Sequence, residues 1–233
     1  MTGPPPAVVD PSWKGLYRWG GVSALVTAVL FAVGIGLGIA LGAQPSGVED
    51  VLGWLGRQTT LAYATYGTFI LADVATIPWA LALYFALKGI NKNAMLAAVG
   101  FEGLYLALDL GVVQASMISL IGLSQNYAAA VSDIQRAAYV AAANSAFGTH
   151  ALGLLFYGGV FPGIMTVITG LVMLKGVFRK IVASLGIIGG ILELVSTLSI
   201  FASVFSILAL ATLILAPIWL LLVGYRLYSL GKR

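Results

Sequence analysis

Cysteine is absent from this chain of 233 residues. That removes any disulfide framework, thiolate metal site or cysteine nucleophile, and leaves no cysteine usage from which to read a redox compartment. Charge is also scarce. Asp, Glu, Lys and Arg make up 9% of the residues, against about 25% in a soluble domain. Histidine occurs once, as His150. No Walker loop, His-Glu-x-x-His or Gly-x-Ser-x-Gly sequence is present, so no catalytic motif supports an enzyme. The run Gly34-Ile35-Gly36-Leu37-Gly38 has no strand before it and lies inside an apolar stretch, which excludes a nucleotide loop.

What the chain does have is apolar length. Hydrophobic residues make up 60% and mean hydropathy is +1.01. The expectation is an all-α polytopic membrane helix bundle of six transmembrane helices. These form a single domain over 14–233, behind a flexible Pro-rich leader at 1–13. No basic region precedes a short apolar core in the leader, so the first span reads as an uncleaved anchor. The spans are placed at 16–43, 59–87, 94–122, 149–175 and 181–201, with the last ending near Tyr228. A turn is required between Ser196 and Ser206, because 181–228 is too long for one span of about 20 residues. Pro78, Pro162 and Pro217 each remove a backbone donor and are expected to kink or break spans two, four and six.

Between the spans, 44–58 contains a short amphipathic segment after the first span. Its Val51, Leu52, Trp54 and Leu55 are expected on the membrane surface. Residues 123–132 read as a polar loop. The Ala-rich stretch 133–147 reads as a helical lead-in before the fourth span, whose outer end carries His150.

Basic residues fall on alternate connections. Lys14, Arg18, Lys88, Lys92, Lys175, Arg179, Lys180, Arg226, Lys232 and Arg233 lie on one side, and only Arg57 and Arg136 on the other. Ten against two places both termini in the cytoplasm and supports an even number of spans. The formal charge of +4 thus marks plasma-membrane topology, and no nucleic-acid partner is expected.

Acids at membrane depth are costly and are default functional candidates. Four are expected there: Asp73, Glu102, Asp109 and Glu193. Asp73 lies 15 residues before Lys88, and Asp109 lies 15 after Ala94. At a rise of about 1.5 Å per residue each stands roughly 22 Å from the inner end of a helical hairpin, at one depth. Glu102 lies two turns from Asp109 on the same face, together with Tyr105, while Gln114 falls off that stripe. No Lys or Arg is expected at that depth, so most of these acids must be protonated, hydrated or bound to a cation. The first reading is that neutral acids tie helices together by hydrogen bonds. The alternatives are a proton or cation pathway, and contact with another subunit or a cofactor. No metal site is expected, because His150 belongs to the outer boundary while Glu102 lies only about 12 Å above the inner end. A second candidate surface is the face of Gly34, Gly38 and Gly42, whose four-residue spacing allows close helix approach.

Three segments carry a resemblance. Leu16-Tyr17-Arg18-Trp19-Gly20-Gly21-Val22 opens span one. Pro78-Trp79-Ala80-Leu81-Ala82-Leu83-Tyr84, with Leu87-Lys88, closes span two. Pro217-Ile218-Trp219-Leu220-Leu221 lies near the end. Together they resemble the uncharacterised prokaryotic membrane family catalogued as domain of unknown function 4386. The resemblance implies a six-helix prokaryotic membrane protein and brings no activity or functional residues. The function expected first is a non-catalytic multi-pass subunit or scaffold of a larger membrane assembly, with the lipid bilayer and other membrane subunits as partners. The alternative is a small proton- or cation-coupled transporter that uses the intramembrane carboxylates. The sequence specifies no cofactor.

Overall fold

A computed structural model describes residues 10–232. Most of the Pro-rich leader, residues 1–9, lies outside the described residues, as does Arg233. The leader's last residues form a 3-10 turn, Pro11–Trp13, capped by the Asp10 side chain. Then follow α1 (Lys14–Leu41), α2 (Val48–Arg57), α3 (Thr59–Leu108), a π-helical segment (Asp109–Gln114), α4 (Ala115–Ala129), α5 (Asp133–Met173), α6 (Lys180–Ser196) and α7 (Ser206–Lys232). The described residues contain no strand. Five stretches are long and apolar enough to cross a membrane, and one of these, Thr59–Ala129, runs for 71 residues.

That long stretch folds back on itself at Asn91, the one residue of α3 with non-helical backbone (φ −151°, ψ 92°). The Asn91 side chain accepts the backbone N–H of Ala94 at 3.0 Å. This is an N-cap that starts the second arm by satisfying one of its free amides. α1 packs along α3 and α7, α5 along α6 and α3, and α6 against α7. Glycine allows the closest of these contacts. A Cβ on Gly21 would stand 2.5 Å from the Tyr228 nitrogen, and one on Gly190 would stand 2.7 Å from the Gly163 carbonyl.

Two apolar clusters hold the bundle, one toward each end. The larger joins Tyr17, Leu83, Leu87, Met95, Met173 and Leu227. At this end Arg18 Nε donates to the Gly231 carbonyl at 2.9 Å, Arg226 Nε donates to the Val177 carbonyl at 2.8 Å, and Lys88 stands over the Trp13 ring. Segments that carry most of the basic residues therefore meet at one end of the bundle. The smaller cluster joins α2 to Leu41, Ala62, Met117, Leu120 and Ile121.

Several sequence expectations are corrected here. Val51, Leu52 and Leu55 are 0% exposed. They pack on α1, α3 and α4 and do not lie on a membrane surface; an amphipathic helix carries the same pattern for either apolar medium. Trp54 Nε1 and Gln58 Nε2 both donate to the Leu41 carbonyl, at 3.1 and 3.2 Å, satisfying an acceptor that the end of α1 would leave free. The expected loop at 123–132 is mostly the end of α4. The lead-in and span four are one helix, α5, which Pro162 does not interrupt. Between α6 and α7, two 3-10 turns, Thr197–Ile200 and Ser203–Phe205, flank the extended residue Ala202.

Candidate functional site

The buried acids lie between the two apolar clusters. Asp73 stands 18 residues before the Asn91 break and Asp109 18 residues after it, so each is about 27 Å along its arm. Both are 2% exposed, and their carboxyls are adjacent. The Tyr105 hydroxyl donates to Asp73 Oδ1 at 2.9 Å. The other oxygen, Oδ2, is buried with no hydrogen-bond partner among the described residues.

The π-helical segment begins at Asp109. In α-helical register, residues five apart diverge by about 140°. A π turn closes i→i+5 and brings them back toward one side. Gln114 is five residues after Asp109, and its Nε2 donates to Asp109 Oδ2 at 2.9 Å. The expectation that Gln114 lies off the acid stripe is therefore wrong, because it assumed α-helical period through this stretch. Gln114 Oε1 is buried and, among the described residues, has no partner.

His150, expected at the outer end of span four, is buried within the bundle. It is 4% exposed and lies well inside α5, beside the π segment. Its Nδ1 is 3.2 Å from the Val113 carbonyl. Facing an acceptor, Nδ1 carries the hydrogen; in the neutral ring this leaves Nε2 as an acceptor. The Tyr66 ring meets the imidazole edge-on at 5.9 Å, and Asp109 is within electrostatic reach. Gly153 allows this approach, since a Cβ there would stand 2.7 Å from a Val113 methyl.

Glu102 and Glu193 form a second, deeper level. Glu102 is 4% exposed and 11 residues from Asn91, about 16 Å along its arm. Glu193 is half-buried on α6, within electrostatic reach of the Glu102 carboxyl. Glu102 also reaches Asp73. The four acids thus form two linked pairs at different depths.

The glycine face does not act as one surface. A Cβ on Gly34 would stand 2.8 Å from the Phe69 ring of α3, so Gly34 packs within the chain. Gly42 has φ +85° and ends α1, a left-handed role that glycine fills without strain. Gly38 meets only the Thr65 methyl, at 4.0 Å.

No Lys or Arg is buried among the described residues. Nor do the described residues contain three or more His, Asp or Glu grouped to hold a metal ion. The chemistry open to the layer is proton sharing between carboxyls, or neutralisation by a small cation. A shallow cleft over α2, lined by Glu49, Asp50, Arg57 and Tyr127, is separate from it. Comparison with protein-family models, curated proteins and solved structures gave no match.

Proposed function

We propose that this chain is a small proton- or cation-coupled carrier of a prokaryotic plasma membrane. It crosses the bilayer six times with both termini in the cytoplasm, as the family resemblance implies. The observation that carries the reading is the meeting of Asp73 and Asp109 from opposite arms of one hairpin, buried without a basic partner among the described residues. A structural tie alone does not need two carboxyls; an amide or hydroxyl serves as well. Two adjacent carboxyls can hold one charge or release it, which is what coupling a substrate to an ion requires. The π segment at the site adds support, since such bulges gather at functional positions. Apolar packing lies toward both ends of the acid layer, as in an occluded state. The charge asymmetry of the connections supports the topology.

Reconstitution into liposomes that enclose a pH-sensitive dye tests the reading. An imposed sodium gradient or membrane potential should drive proton or sodium flux. Asp73→Asn and Asp109→Asn should abolish that flux while the protein still elutes as a folded species. Flux no greater than in protein-free liposomes, or flux unchanged in both variants, would refute the carrier.

A second reading, an assembly subunit, is supported by the connection from α4 to α5 and the first turn of α5. Val131 and Ile134 are 89% and 84% exposed there, beyond the acid layer. Purification from native membranes tests this reading, with a fixed co-migrating partner as the expected result. A chain that migrates alone, and at the same size when Ile134 is replaced by Asn, would sink it.

A further inference from the structure

Among the described residues two buried side-chain oxygens have no partner, Asp73 Oδ2 and Gln114 Oε1, and both residues meet Asp109. Gln114 is fixed by its Nε2 to Asp109 Oδ2 at 2.9 Å, and the planar amide holds Oε1 beside that nitrogen. Asp109 in turn lies against Asp73. A single proton between the two carboxyls would satisfy Asp73 Oδ2 and leave Gln114 Oε1 without a donor. An amide oxygen is not protonated in water, so only a donor or a cation can satisfy it. Burial of such an acceptor without a partner costs about 1–3 kcal/mol. A hard cation accepts carboxylate and amide oxygens together.

We infer that Asp73, Asp109 and Gln114 form a binding site for one monovalent alkali cation, with Asp73 Oδ2 and Gln114 Oε1 as ligands. The charge count favours a monovalent ion. Two carboxyls that retain one proton carry a single negative charge, and one alkali cation neutralises it. A divalent ion would need both carboxyls ionised, and no metal-holding group of His, Asp and Glu is found among the described residues. When both carboxyls are protonated the site is already neutral. Binding therefore replaces one proton: the cation enters, one carboxyl loses its proton to solution, and charge is conserved. The other titratable groups facing the site are Tyr105 and Glu102 on the hairpin and His150 on α5, with Tyr66 beside the imidazole. The stretches 21–41 of α1 and 206–224 of α7 contain none, and α6 contributes Glu193 one level deeper.

The inference deepens the carrier reading and rests on it for its biological role, but binding can be tested without transport. The full chain in detergent is titrated with sodium, lithium or potassium chloride, against choline chloride at equal ionic strength. Thermal midpoint and proton release into weakly buffered solution are recorded. At least one alkali cation should raise the midpoint and release about one proton per protein. Asp73→Asn should abolish both effects. Gln114→Leu should weaken the cation's apparent affinity at least about tenfold, and Gln114→Glu should retain binding. If Asp73→Asn fails to fold, Asp109→Asn serves in its place. Equal responses to choline and all three alkali cations would overturn the site, as would a cation effect that survives in the folded aspartate variant. Proton flux with no cation response would leave a proton-coupled carrier standing and remove this site. Cation binding without flux would keep the site and remove the carrier.

Discussion

Asp109 and Gln114 are five residues apart and joined by a 2.9 Å hydrogen bond, which is possible because the backbone between them is π-helical. A π segment is in effect an α-helix with one residue inserted. Deleting Gly111 should restore α-helical register and leave α4 continuing in its present direction. Gln114 would then follow Asp109 by four residues and stay on the same side of the helix, so the contact should survive in an α-helical backbone. The expected outcome is a folded protein with a thermal midpoint within a few degrees of wild type and flux retained, whereas Gln114→Leu, which removes the contact itself, should lower cation flux. Loss of flux in the folded deletion variant would show that the π backbone itself, beyond the Asp109–Gln114 contact, is needed.

The depth of the acids was readable from the sequence for a simple reason. The polar run Lys88 to Asn93 marks a turn, and equal residue counts along two helices give equal depths whatever the helix rotation. The partners of those acids were not readable. A π insertion has no composition of its own, so Gln114 was assigned by α-helical period to the wrong face. His150 follows an Ala-rich polar stretch that resembles an interfacial lead-in, and nothing local says that the helix continues unbroken to Met173. Likewise Val51 and Leu55 form an apolar stripe, but a stripe does not reveal whether lipid or protein covers it. Rotation and continuity were decided by tertiary contacts such as Gly153 against Val113, which lie far apart in sequence.

Close helix packing predicts a contrast between two glycines of α1. Gly21 has no room for a methyl group, because a Cβ would stand 2.5 Å from the Tyr228 backbone nitrogen, whereas Gly36 has nothing within 4 Å. Gly21→Ala should destabilise the bundle by about 1–3 kcal/mol. Gly36→Ala should be neutral or stabilising by up to about 1 kcal/mol, as expected for alanine in an open helical position. Unfolding in detergent measures both, and equal midpoints would show that α1 and α7 are not packed this closely.

The cap formed by α2 rests on two contacts with separate tests. Trp54→Phe removes one of two donors to the Leu41 carbonyl and should cost about 1 kcal/mol, because Gln58 remains. Trp54→Ala also removes a buried indole and should cost about 3–5 kcal/mol. The second contact is outside the spans. The Tyr127 hydroxyl donates to Glu49 Oε1 at 2.6 Å, and that bond first, with partial desolvation, raises the phenol above its usual value. The folded state therefore favours the protonated phenol. Its contribution is fully present below about pH 10 and is lost as pH rises through the raised value. Stability curves of wild type and Tyr127→Phe should differ below that pH and converge above it.

Topology is directly testable because the chain has no cysteine of its own. Single substitutions Asn93→Cys and Asn126→Cys place thiols at exposed positions on opposite ends of the hairpin. In intact cells an impermeant maleimide should label the second and not the first. A reporter fused after residue 233 should be active only in the cytoplasm. Labelling of Asn93→Cys from outside would invert the charge-based orientation.

The Tyr105–Asp73 pair gives the sharpest test of what holds the acid layer together. Tyr105→Phe removes the donor to Asp73 Oδ1 and leaves that buried acceptor without its hydrogen bond. Loss of such a partner should cost about 1–3 kcal/mol. Asp73→Leu should cost a similar amount for the opposite reason, since it strands the tyrosine hydroxyl. Asp73→Asn should be mild, because an amide retains an acceptor for Tyr105 and resembles the neutral acid in shape. The double variant Tyr105→Phe with Asp73→Leu removes both polar partners at once and leaves neither stranded. Its cost should fall below the sum of the single costs, with an interaction energy of about 0.5–3 kcal/mol. Reversible unfolding of the four proteins in one detergent closes this cycle. Strict additivity would mean that tyrosine and aspartate do not bond in the folded protein, and the placement of the first arm against the second would have to be redrawn.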